Sequence, residues 1–194
     1  MKRQRILLIG GGGHCKSVID VIEQGNNFEI GGIIDIREKI GESLLGYPII
    51  GTDDDLLALK KDFDAFHISM GKITISEKRS DLFNFLKAKE FNLPAIVSPS
   101  AYISKHAFVG EGTIVMHHAV INAEAHVGMN CIINTKALIE HDAVIGDHCH
   151  IATGAIINGG VQVGSESFIG SGAVSKQNSV VSFGSFIKAN SIIK

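Results

Sequence analysis

An aliphatic residue recurs at every sixth position through the second half of the chain, from Val97 to Ile169, and the series resumes in phase at Val181 after one interruption at Ser175. A small residue stands four positions after most members of the series, as at Ala119. A period of six fits neither a helix nor an isolated strand. It is typical of a chain wound as a three-sided prism, with one hexapeptide on each face and eighteen residues in each coil. The pattern therefore predicts an all-β parallel β-helix of hexapeptide repeats over residues 96–194.

The first half of the chain has a different pattern, in which short apolar runs alternate with segments of helical periodicity. The predicted strands are 6–9, 30–35 and 63–70, and the predicted helices are 14–24, 51–61 and 76–89. Such alternation favours a small parallel α/β sheet of Rossmann-like type. Pro94 and Pro99 mark the passage into the repeat. We therefore expect one domain over residues 1–95 and a second over residues 96–194.

The charge and cysteine content narrow the range of partners and compartments. The net charge is −2, from 18 basic and 20 acidic residues, and no basic run suggests a nucleic-acid or membrane surface. The N-terminal apolar run is too short for a signal peptide, and no stretch is long enough to cross a bilayer. Three cysteines lack metal-type spacing, and two of them occupy the small-residue position of the repeat. We expect a cytoplasmic protein in a reducing compartment.

Four consecutive glycines, residues 10–13, separate the first predicted strand from the first predicted helix. Main-chain N–H groups in such a turn form a site for anions, typically phosphate. Asp35 ends the second predicted strand and is placed to accept hydrogen bonds from a sugar or a base. Gly10 and Gly12 fit the dinucleotide fingerprint, but Cys15 stands where its third glycine belongs. The pattern indicates a nucleotide or nucleotide-sugar site, and a tight turn without a ligand is the alternative.

His141 is the most informative of the nine histidines. It lies between Glu140 and Asp142, two positions after the inward-facing Ile139, so its side chain should point away from the prism. A flanking carboxylate can fix the imidazole tautomer and raise its basicity, as a general base requires. The alternative is an inert, solvated histidine. No two histidines are eighteen residues apart, so none stack on adjacent coils, and we predict no metal site.

Four segments together resemble one acyltransferase family. They are Gly-Gly-Gly-Gly-His-Cys-Lys-Ser-Val at 10–18, Ile-Ile-Asp at 33–35, Gly-Thr-Asp-Asp-Asp-Leu at 51–56, and the stretch around Glu-His-Asp at 139–155. This combination resembles the sialic-acid O-acetyltransferase family, which includes the nucleotide-4-amino-sugar N-acetyltransferases of bacillosamine and perosamine type. The resemblance covers essentially the whole chain. It implies a left-handed β-helix, acetyl-CoA as co-substrate, and homotrimers with active sites between neighbouring prisms.

The resemblance also assigns roles to residues. It implies that His141 is the catalytic base and that Asp142 orients it. For acetyl-CoA it implies contacts from His150 near the thioester and from the coils around Gly159, Ser171 and Ala189 along the pantetheine. For the nucleotide-sugar it implies contacts from Gly12, Gly13, His14, Asp35, Gly71 and Asn134.

Two positions depart from the family pattern. Ile36 stands where a second acidic residue is frequent, and Lys72 stands where asparagine is frequent. Both are expected to face the sugar-nucleotide pocket and to alter the preference for base and sugar.

The function predicted is transfer of an acetyl group from acetyl-CoA to the amine of a UDP- or GDP-4-amino-sugar in bacterial surface-glycan biosynthesis. An O-acetyltransferase acting on sialic acid or a related sugar is an alternative of the same class. A non-catalytic solenoid that binds a nucleotide-sugar is an alternative of another class.

Overall fold

The computed structural model describes residues 3–72 and 78–194. Chain contacts divide the protein into two compact units. One contains Met1–Gly71 and Asp81–Pro94, and the other contains Lys72–Ser80 and Ala95–Lys194. The division into domains of residues 1–95 and 96–194 remains a prediction.

The first unit contains a five-stranded sheet in the order β3-β4-β2-β1-β5. Strand β1 (Gln4–Ile9) pairs in parallel with β2 (Phe28–Ile34) and with β5 (Ala65–Ile68), and β4 (Tyr47–Gly51) adds in parallel to β2. Residues 6–9 are at most 1% exposed. Burial on both faces explains why this strand is a continuous apolar run and not an alternating one.

Helices connect these strands. Helix α1 (Gly13–Gln24) buries Val18, Ile19 and Ile22, the positions whose spacing predicts it. The predicted helix at 51–61 is a 3₁₀ turn (Asp53–Asp55), the short α2 (Leu56–Leu59) and another 3₁₀ turn (Lys60–Asp62). Helix α3 spans Lys78–Ala88, and the first two residues of the predicted helix, 76 and 77, lie outside the described residues.

A small hairpin is absent from the sequence prediction. Strand β3 (Ser43–Leu44) pairs antiparallel with β4 through a turn at Leu45 and Gly46. Both turn residues have positive φ, 49° and 87°. Two-residue hairpin turns with positive φ at both positions normally carry Asn-Gly or Asp-Gly. Leucine in place of asparagine removes the usual sequence signal.

The repeat forms three parallel sheets of two-residue strands, and each strand pairs with the strand eighteen residues away. The first sheet is β22-β19-β16-β13-β10-β7, the second is β20-β17-β14-β11-β8, and the third is β21-β18-β15-β12-β9-β6. We call them sheets D, E and C. The strands are β6 (Ile96–Val97), β7 (Tyr102–Ile103), β8 (Phe108–Val109), β9 (Ile114–Val115), β10 (Val120–Ile121), β11 (His126–Val127), β12 (Ile132–Ile133), β13 (Leu138–Ile139), β14 (Val144–Ile145), β15 (His150–Ile151), β16 (Ile156–Ile157), β17 (Gln162–Val163), β18 (Phe168–Ile169), β19 (Val174–Ser175), β20 (Val180–Val181), β21 (Phe186–Ile187) and β22 (Ile192–Ile193).

The corners between sheets repeat with the same period. A residue with positive φ occurs at every sixth position from Gly112 to Asn190, and each forms part of the turn between two strands. Glycine, asparagine, aspartate or histidine occupies most of these positions, which are the residue types that tolerate left-handed backbone. The left-handed backbone at the corners therefore restricts which residue types occupy this position of the repeat.

The interior of the prism is a continuous apolar column. The aliphatic series from Val115 to Ile157 is fully buried, and the small residues Ala119, Ala137 and Ala155 are also 0% exposed. Each buried Ile or Val contributes about 1.5–3 kcal/mol relative to exposure. Val97, the first member, is 41% exposed because it begins the first coil and pairs with a neighbour on one side only.

Ser175 interrupts the aliphatic series without interrupting the prism. It is 1% exposed, and its hydroxyl accepts a hydrogen bond from the Asn158 N–H at 2.8 Å. At equivalent positions the main-chain carbonyl of the next coil accepts this bond, as when Glu140 N–H donates to Ile157 O. The serine hydroxyl therefore replaces a main-chain acceptor and satisfies a buried donor.

Candidate active site

His141 lies at the corner between sheets D and E, immediately before Asp142. Asp142 occupies the left-handed corner position, with φ 61°. The His141 Nδ1 atom is 2.6 Å from the Asp142 carboxylate, and the two side chains are 59% and 63% exposed. The structure thus confirms that His141 points away from the prism and contacts the neighbouring carboxylate.

This contact defines the chemistry of the imidazole. An ionised carboxylate only accepts hydrogen bonds, so the Nδ1 atom carries the proton and the Nε2 lone pair remains available. The hydrogen bond with Asp142 raises the pKa of His141, and the charges of Asp142 and Glu140 act in the same direction. The pair thus forms a base of increased basicity with a defined tautomer.

Gly159 lies one coil beyond His141, against its ring. A Cβ atom at Gly159 would stand 2.7 Å from His141 Cε1 and 2.8 Å from Nε2. The next residue, Gly160, donates its N–H to the His141 carbonyl at 3.0 Å. Only glycine leaves room for the imidazole at this position. The family resemblance assigns Gly159 to acetyl-CoA binding, and in the structure Gly159 lies against the His141 ring.

Asn134 and His150 form a second cluster, near the corner between sheets C and D. The Asn134 side-chain nitrogen is 3.1 Å from His150 Nε2, and His150 Nδ1 is 2.5 Å from the Lys72 carbonyl. His150 is 5% exposed. Burial lowers the pKa of His150 to about 4, and the charges of Arg79 and Lys72 also lower it.

The predicted acetyl-CoA residues occupy two different corners of one chain. Ser171 and Ala189 are exposed, stand eighteen residues apart, and share the corner that carries Asn134. Gly159 shares the other corner with His141. Sheet D separates the two corners, so a single chain does not bring His141 together with Asn134 and His150.

The glycine loop of the first unit lies at the N-terminus of α1. Gly12 is the residue before the helix and provides no side-chain cap, and the first turn has no acidic residue. A Cβ at Gly12 or Gly13 would meet no atom within 4 Å, so these glycines border open space. Gly71 is adjacent to His14, since its Cβ would stand 3.4 Å from His14 Cβ. The structure therefore brings His14 and Gly71 together beside the helix N-terminus.

Asp35 connects the glycine loop to an adjacent cleft. Its carboxylate accepts hydrogen bonds from Gly11 N–H at 2.8 Å, Ile36 N–H at 2.7 Å and Lys39 Nζ at 2.8 Å. Burial alone would raise the pKa of Asp35, but the bonds from Lys39, Ile36 and Gly11 lower it below its usual value. Asp35 is thus ionised and partly engaged in holding the loop.

The cleft beside Asp35 has a volume of about 370 Å³. Its lining includes residues that the sequence prediction does not assign to a site: Arg37, Glu38, Thr52, Asp53, Asp54 and Met70. They follow β2, β4 and β5, and the carboxyl ends of parallel strands meet at one edge of the sheet, where ligands bind in such folds. The signal was the Gly-Thr-Asp-Asp-Asp segment, which the sequence prediction uses as a helix start and as part of the family resemblance but does not assign to a site.

The two departures from the family pattern have different positions. Ile36 lines the cleft beside Asp35 and is 57% exposed, and its role in a sugar-nucleotide pocket stays a prediction. The prediction for Lys72 is wrong. Its side chain is 4% exposed and forms an ion pair with Glu166 of the repeat, because a buried ammonium group requires a charged partner.

The described residues contain neither a cluster of metal ligands nor a membrane-spanning helix. Over residues 3–72 and 78–194, no group of three or more His, Cys, Asp or Glu side chains is arranged to hold a metal ion. In the same part of the chain, no helix has the length and apolar character needed to cross a membrane.

Both parts of the chain are similar to known proteins. Residues 5–83 match the PglD N-terminal domain, and residues 142–174 match the bacterial transferase hexapeptide repeats. The acetyltransferase domain of PglB from Neisseria gonorrhoeae is 31% identical, with a TM-score of 0.92 over 99% of this chain and 92% of that chain. The chain belongs to the bacillosamine- and perosamine-type N-acetyltransferase family. The predicted fold class, a small α/β sheet followed by a left-handed β-helix, is confirmed.

Structures of family members with ligands are also similar. The PglB domain has been solved with acetyl coenzyme A, at 30% identity and a TM-score of 0.88 over 99% of this chain and 93% of that chain. PerB from Caulobacter crescentus has been solved with CoA and GDP-perosamine, at 29% identity and a TM-score of 0.90 over 97% of this chain and 88% of that chain. An uncharacterised protein of Acanthamoeba polyphaga mimivirus is 34% identical over 114 residues, and the chain spans 21% of its length.

Proposed function

We propose that the protein transfers an acetyl group from acetyl-CoA to the amine of a nucleotide-linked 4-amino-sugar. The observation that carries the proposal is the exposed His141–Asp142 pair at 2.6 Å, in a chain similar along nearly its whole length to acetyltransferases solved with acetyl-CoA and with GDP-perosamine. The glycine loop and the cleft beside Asp35 support a nucleotide-sugar as the acceptor.

The proposed chemistry is direct transfer. His141 Nε2 takes a proton from the sugar amine as the nitrogen attacks the thioester carbonyl, and Asp142 stabilises the imidazolium that forms. A C–N bond forms and the C–S bond breaks when the tetrahedral intermediate collapses. The imidazolium returns its proton to the departing thiolate of CoA. Acetyl-CoA is the only co-substrate that this scheme requires.

The tetrahedral intermediate carries an oxyanion that requires a donor. The His150 ring provides none in this arrangement, because its Nδ1–H donates to the Lys72 carbonyl and its Nε2 accepts from Asn134. A main-chain N–H of the prism is the better candidate. The N–H of Gly159 fits, since its residue contacts the His141 ring and it donates no hydrogen bond within the described residues.

The predicted ligand contacts are retained as proposals. We assign His150, Gly159, Ser171 and Ala189 to acetyl-CoA. We assign Gly12, Gly13, His14, Asp35, Gly71 and Asn134 to the nucleotide-sugar. The cleft adds Thr52 and Asp53 to the acceptor site, where their side chains can distinguish the hydrogen-bonding edges of different bases.

We also propose a homotrimer whose active sites lie between prisms. Sheet D presents an outward row of apolar side chains, Tyr102, Val120, Leu138, Ile156, Val174 and Ile192, which we call the apolar row. An apolar surface of this extent marks an interaction site. The row separates the His141 corner from the Asn134 corner, so packing through sheet D supports a site completed by a second copy. The buried thiols Cys15, Cys131 and Cys149 support a reducing, cytoplasmic location.

The deciding experiment incubates the protein with acetyl-CoA and a panel of UDP- and GDP-4-amino-sugars. We expect release of free CoA thiol together with a product that gains one acetyl group by mass spectrometry. Treatment with alkaline hydroxylamine separates the alternatives, because it removes an O-acetyl ester and leaves an amide intact. Release of thiol only with sialic acids would favour the O-acetyltransferase. Nucleotide-sugar binding without thiol release from any acceptor would favour the non-catalytic solenoid.

A further inference from the structure

Lys72 and Glu166 form a buried ion pair within the second unit. The Lys72 Nζ atom contacts the Glu166 carboxylate and also donates to the His148 carbonyl at 2.8 Å. The two side chains are 4% and 19% exposed. A buried charge is costly unless it is paired and hydrogen-bonded, and these two contacts meet that requirement. The pair therefore holds residue 72 firmly against the coils that carry His148 and Glu166.

The main chain of Lys72 makes a separate contact with His150. A carbonyl oxygen only accepts hydrogen bonds, so the 2.5 Å contact means that His150 Nδ1 carries the proton. Asn134 is then required to donate its side-chain N–H to the His150 Nε2 lone pair, at 3.1 Å. The two contacts agree on one neutral tautomer of His150.

The same chain of bonds orients the Asn134 amide. Its oxygen accepts from Thr135 N–H at 2.8 Å, and one of its two N–H bonds points to His150. If the oxygen and nitrogen of the Asn134 amide exchanged places, the hydrogen bonds with Thr135 N–H and His150 Nε2 would both be lost. One amide N–H remains, on a half-buried side chain at the corner that carries the proposed acetyl-CoA residues.

We propose that Lys72, held by Glu166, is a positioning residue that fixes the tautomer of His150 and thereby the orientation of Asn134. The proposal deepens the proposed function and rests on it for its kinetic consequences. The ion pair with Glu166 acts on His150 only through the position of the residue 72 main chain. Its effect on catalysis is indirect, through the carbonyl of residue 72.

The groups around His150 are consistent with this role. Lys72 and Arg79 are the charged groups that act on His150, and both disfavour the imidazolium. The Phe168 ring packs edge-on against the imidazole at 5.1 Å between centroids. A neutral imidazole in this environment keeps its single proton on Nδ1 as long as the Lys72 carbonyl stays in place.

The test compares the wild type with the double variant Lys72→Met/Glu166→Met. Both charges are removed together, because either single variant would leave an unpaired buried charge and unfold the coil. Lys60→Met is the matched control, since Lys60 also donates to a main-chain carbonyl, that of Lys89 at 2.7 Å, but in the other unit.

The first readout is the tautomer of His150, measured by long-range proton–nitrogen correlation on protein labelled with ¹⁵N-histidine. The His150→Gln variant identifies the signal by its loss. We expect the wild type and Lys60→Met to show the Nδ1–H tautomer, neutral down to a pH of about 4. We expect the double variant to show mixed tautomers and protonation at higher pH. A folded double variant with an unchanged His150 signal would overturn the proposal.

The second readout is steady-state kinetics with acetyl-CoA and an active acceptor. Misplacing Asn134 should lower kcat in the double variant by about tenfold, the value of one positioned hydrogen bond. Unchanged kcat and KM, with only a lower Tm, would assign the pair a purely structural role and overturn the proposal. The tautomer of His150 is measured without substrate. If the protein proves not to be a transferase, the tautomer measurement therefore still tests the positioning role of Lys72.

Discussion

His141 and His150 lie nine residues apart on the same repeat and have opposite properties. His141 is at a corner, more than half exposed, and a carboxylate raises its pKa. His150 is on a sheet, 5% exposed, and burial lowers its pKa to about 4. The corner that carries His141 projects into solvent, whereas the outward face of sheet C around His150 is buried. The repeat position places His141 at a corner, but the burial of His150 depends on what covers its sheet, since His126 has the same hexapeptide position and is exposed.

The two imidazole rings also differ in where their neighbours lie in the chain. His141 contacts Asp142, which is adjacent in the chain, and Gly159, which is one coil away. His150 depends on Lys72, which is 78 residues away in the chain. The surroundings of His141 thus come from the repeat itself, whereas His150 depends on a contact with a residue outside the repeat.

Replacing the exposed histidine should produce the largest effect. We expect His141→Ala to lower kcat by about 10²–10⁴-fold, the usual contribution of a general base, with little change in acetyl-CoA affinity. Stopped-flow turnover and calorimetric titration with CoA measure the two quantities. His126→Ala, an exposed histidine on sheet E, is the control. Full turnover in His141→Ala would remove His141 from the mechanism.

The next prediction concerns whether the two corners meet across a subunit interface. Leu138→Glu places a charge in the apolar row and should dissociate the proposed trimer and reduce turnover to background, while the His141–Asp142 contact within each chain stays intact. Analytical ultracentrifugation and the thiol-release assay measure this. Gln162→Glu, on sheet E, should leave both unchanged. An active Leu138→Glu monomer would show that one chain contains the complete site.

Gly159→Ala tests the tight packing against the base. The added Cβ would stand 2.7 Å from the His141 ring and must displace it. A displacement near 1 Å can cost about 10²-fold in rate, so we expect kcat to fall by that order and the fold to be retained. Gln177→Ala, at the same corner one coil further on, is the control. Wild-type kcat in Gly159→Ala would show that the ring position tolerates this shift.

Asp142→Asn should change the pH dependence more than the maximal rate. The base works when neutral, so kcat rises with pH through the pKa of His141, which Asp142 raises. Removing the carboxylate lowers that pKa, and the acid limb of the kcat–pH profile should move to lower pH. Asparagine tolerates the left-handed backbone at this corner, so the fold should be retained. An acid limb at the wild-type pH would mean that another group sets it.

The smallest effect is expected at Asp35. Asp35→Asn removes the charge that holds Gly11 and Lys39, and we expect KM for the nucleotide-sugar to rise about tenfold with kcat nearly unchanged. Initial-rate measurements over a range of acceptor concentrations test this. Asp20→Asn, on the exposed side of α1, is the control. A change in kcat alone would place Asp35 closer to the reaction than the cleft suggests.

Much of the repeat follows from the sequence alone. A period of six and a coil of eighteen place residue 159 over residue 141 before any coordinate is known, and the adjacency of His141 and Asp142 is a property of the chain. The corner positions with positive φ follow the same count. The period does not predict which group accepts a hydrogen bond where a repeat position carries an unusual residue. At Ser175 the side-chain hydroxyl accepts the bond from Asn158 N–H in place of a main-chain carbonyl.

The first unit was less predictable. Strands β1, β2 and β5 and helix α1 follow from apolar runs and helical spacing. The β3–β4 hairpin does not, because Leu45 occupies a turn position where asparagine would signal it. The sequence prediction also missed the residues that line the cleft beside Asp35. Thr52 and Asp53 reach Asp35 only after β4 joins the sheet beside β2.

The sequence by itself determined the prism, the exposed His141 beside its carboxylate, and the glycine loop at a helix start, because each depends on residues that are adjacent or separated by a fixed period. Only the tertiary structure decided that Lys72 is buried against Glu166, that His150 is neutral, and that the residues after β4 complete the cleft beside Asp35. These contacts join residues with no periodic relation. Their energies depend on which groups lose water together, and that is fixed only when the chain has folded.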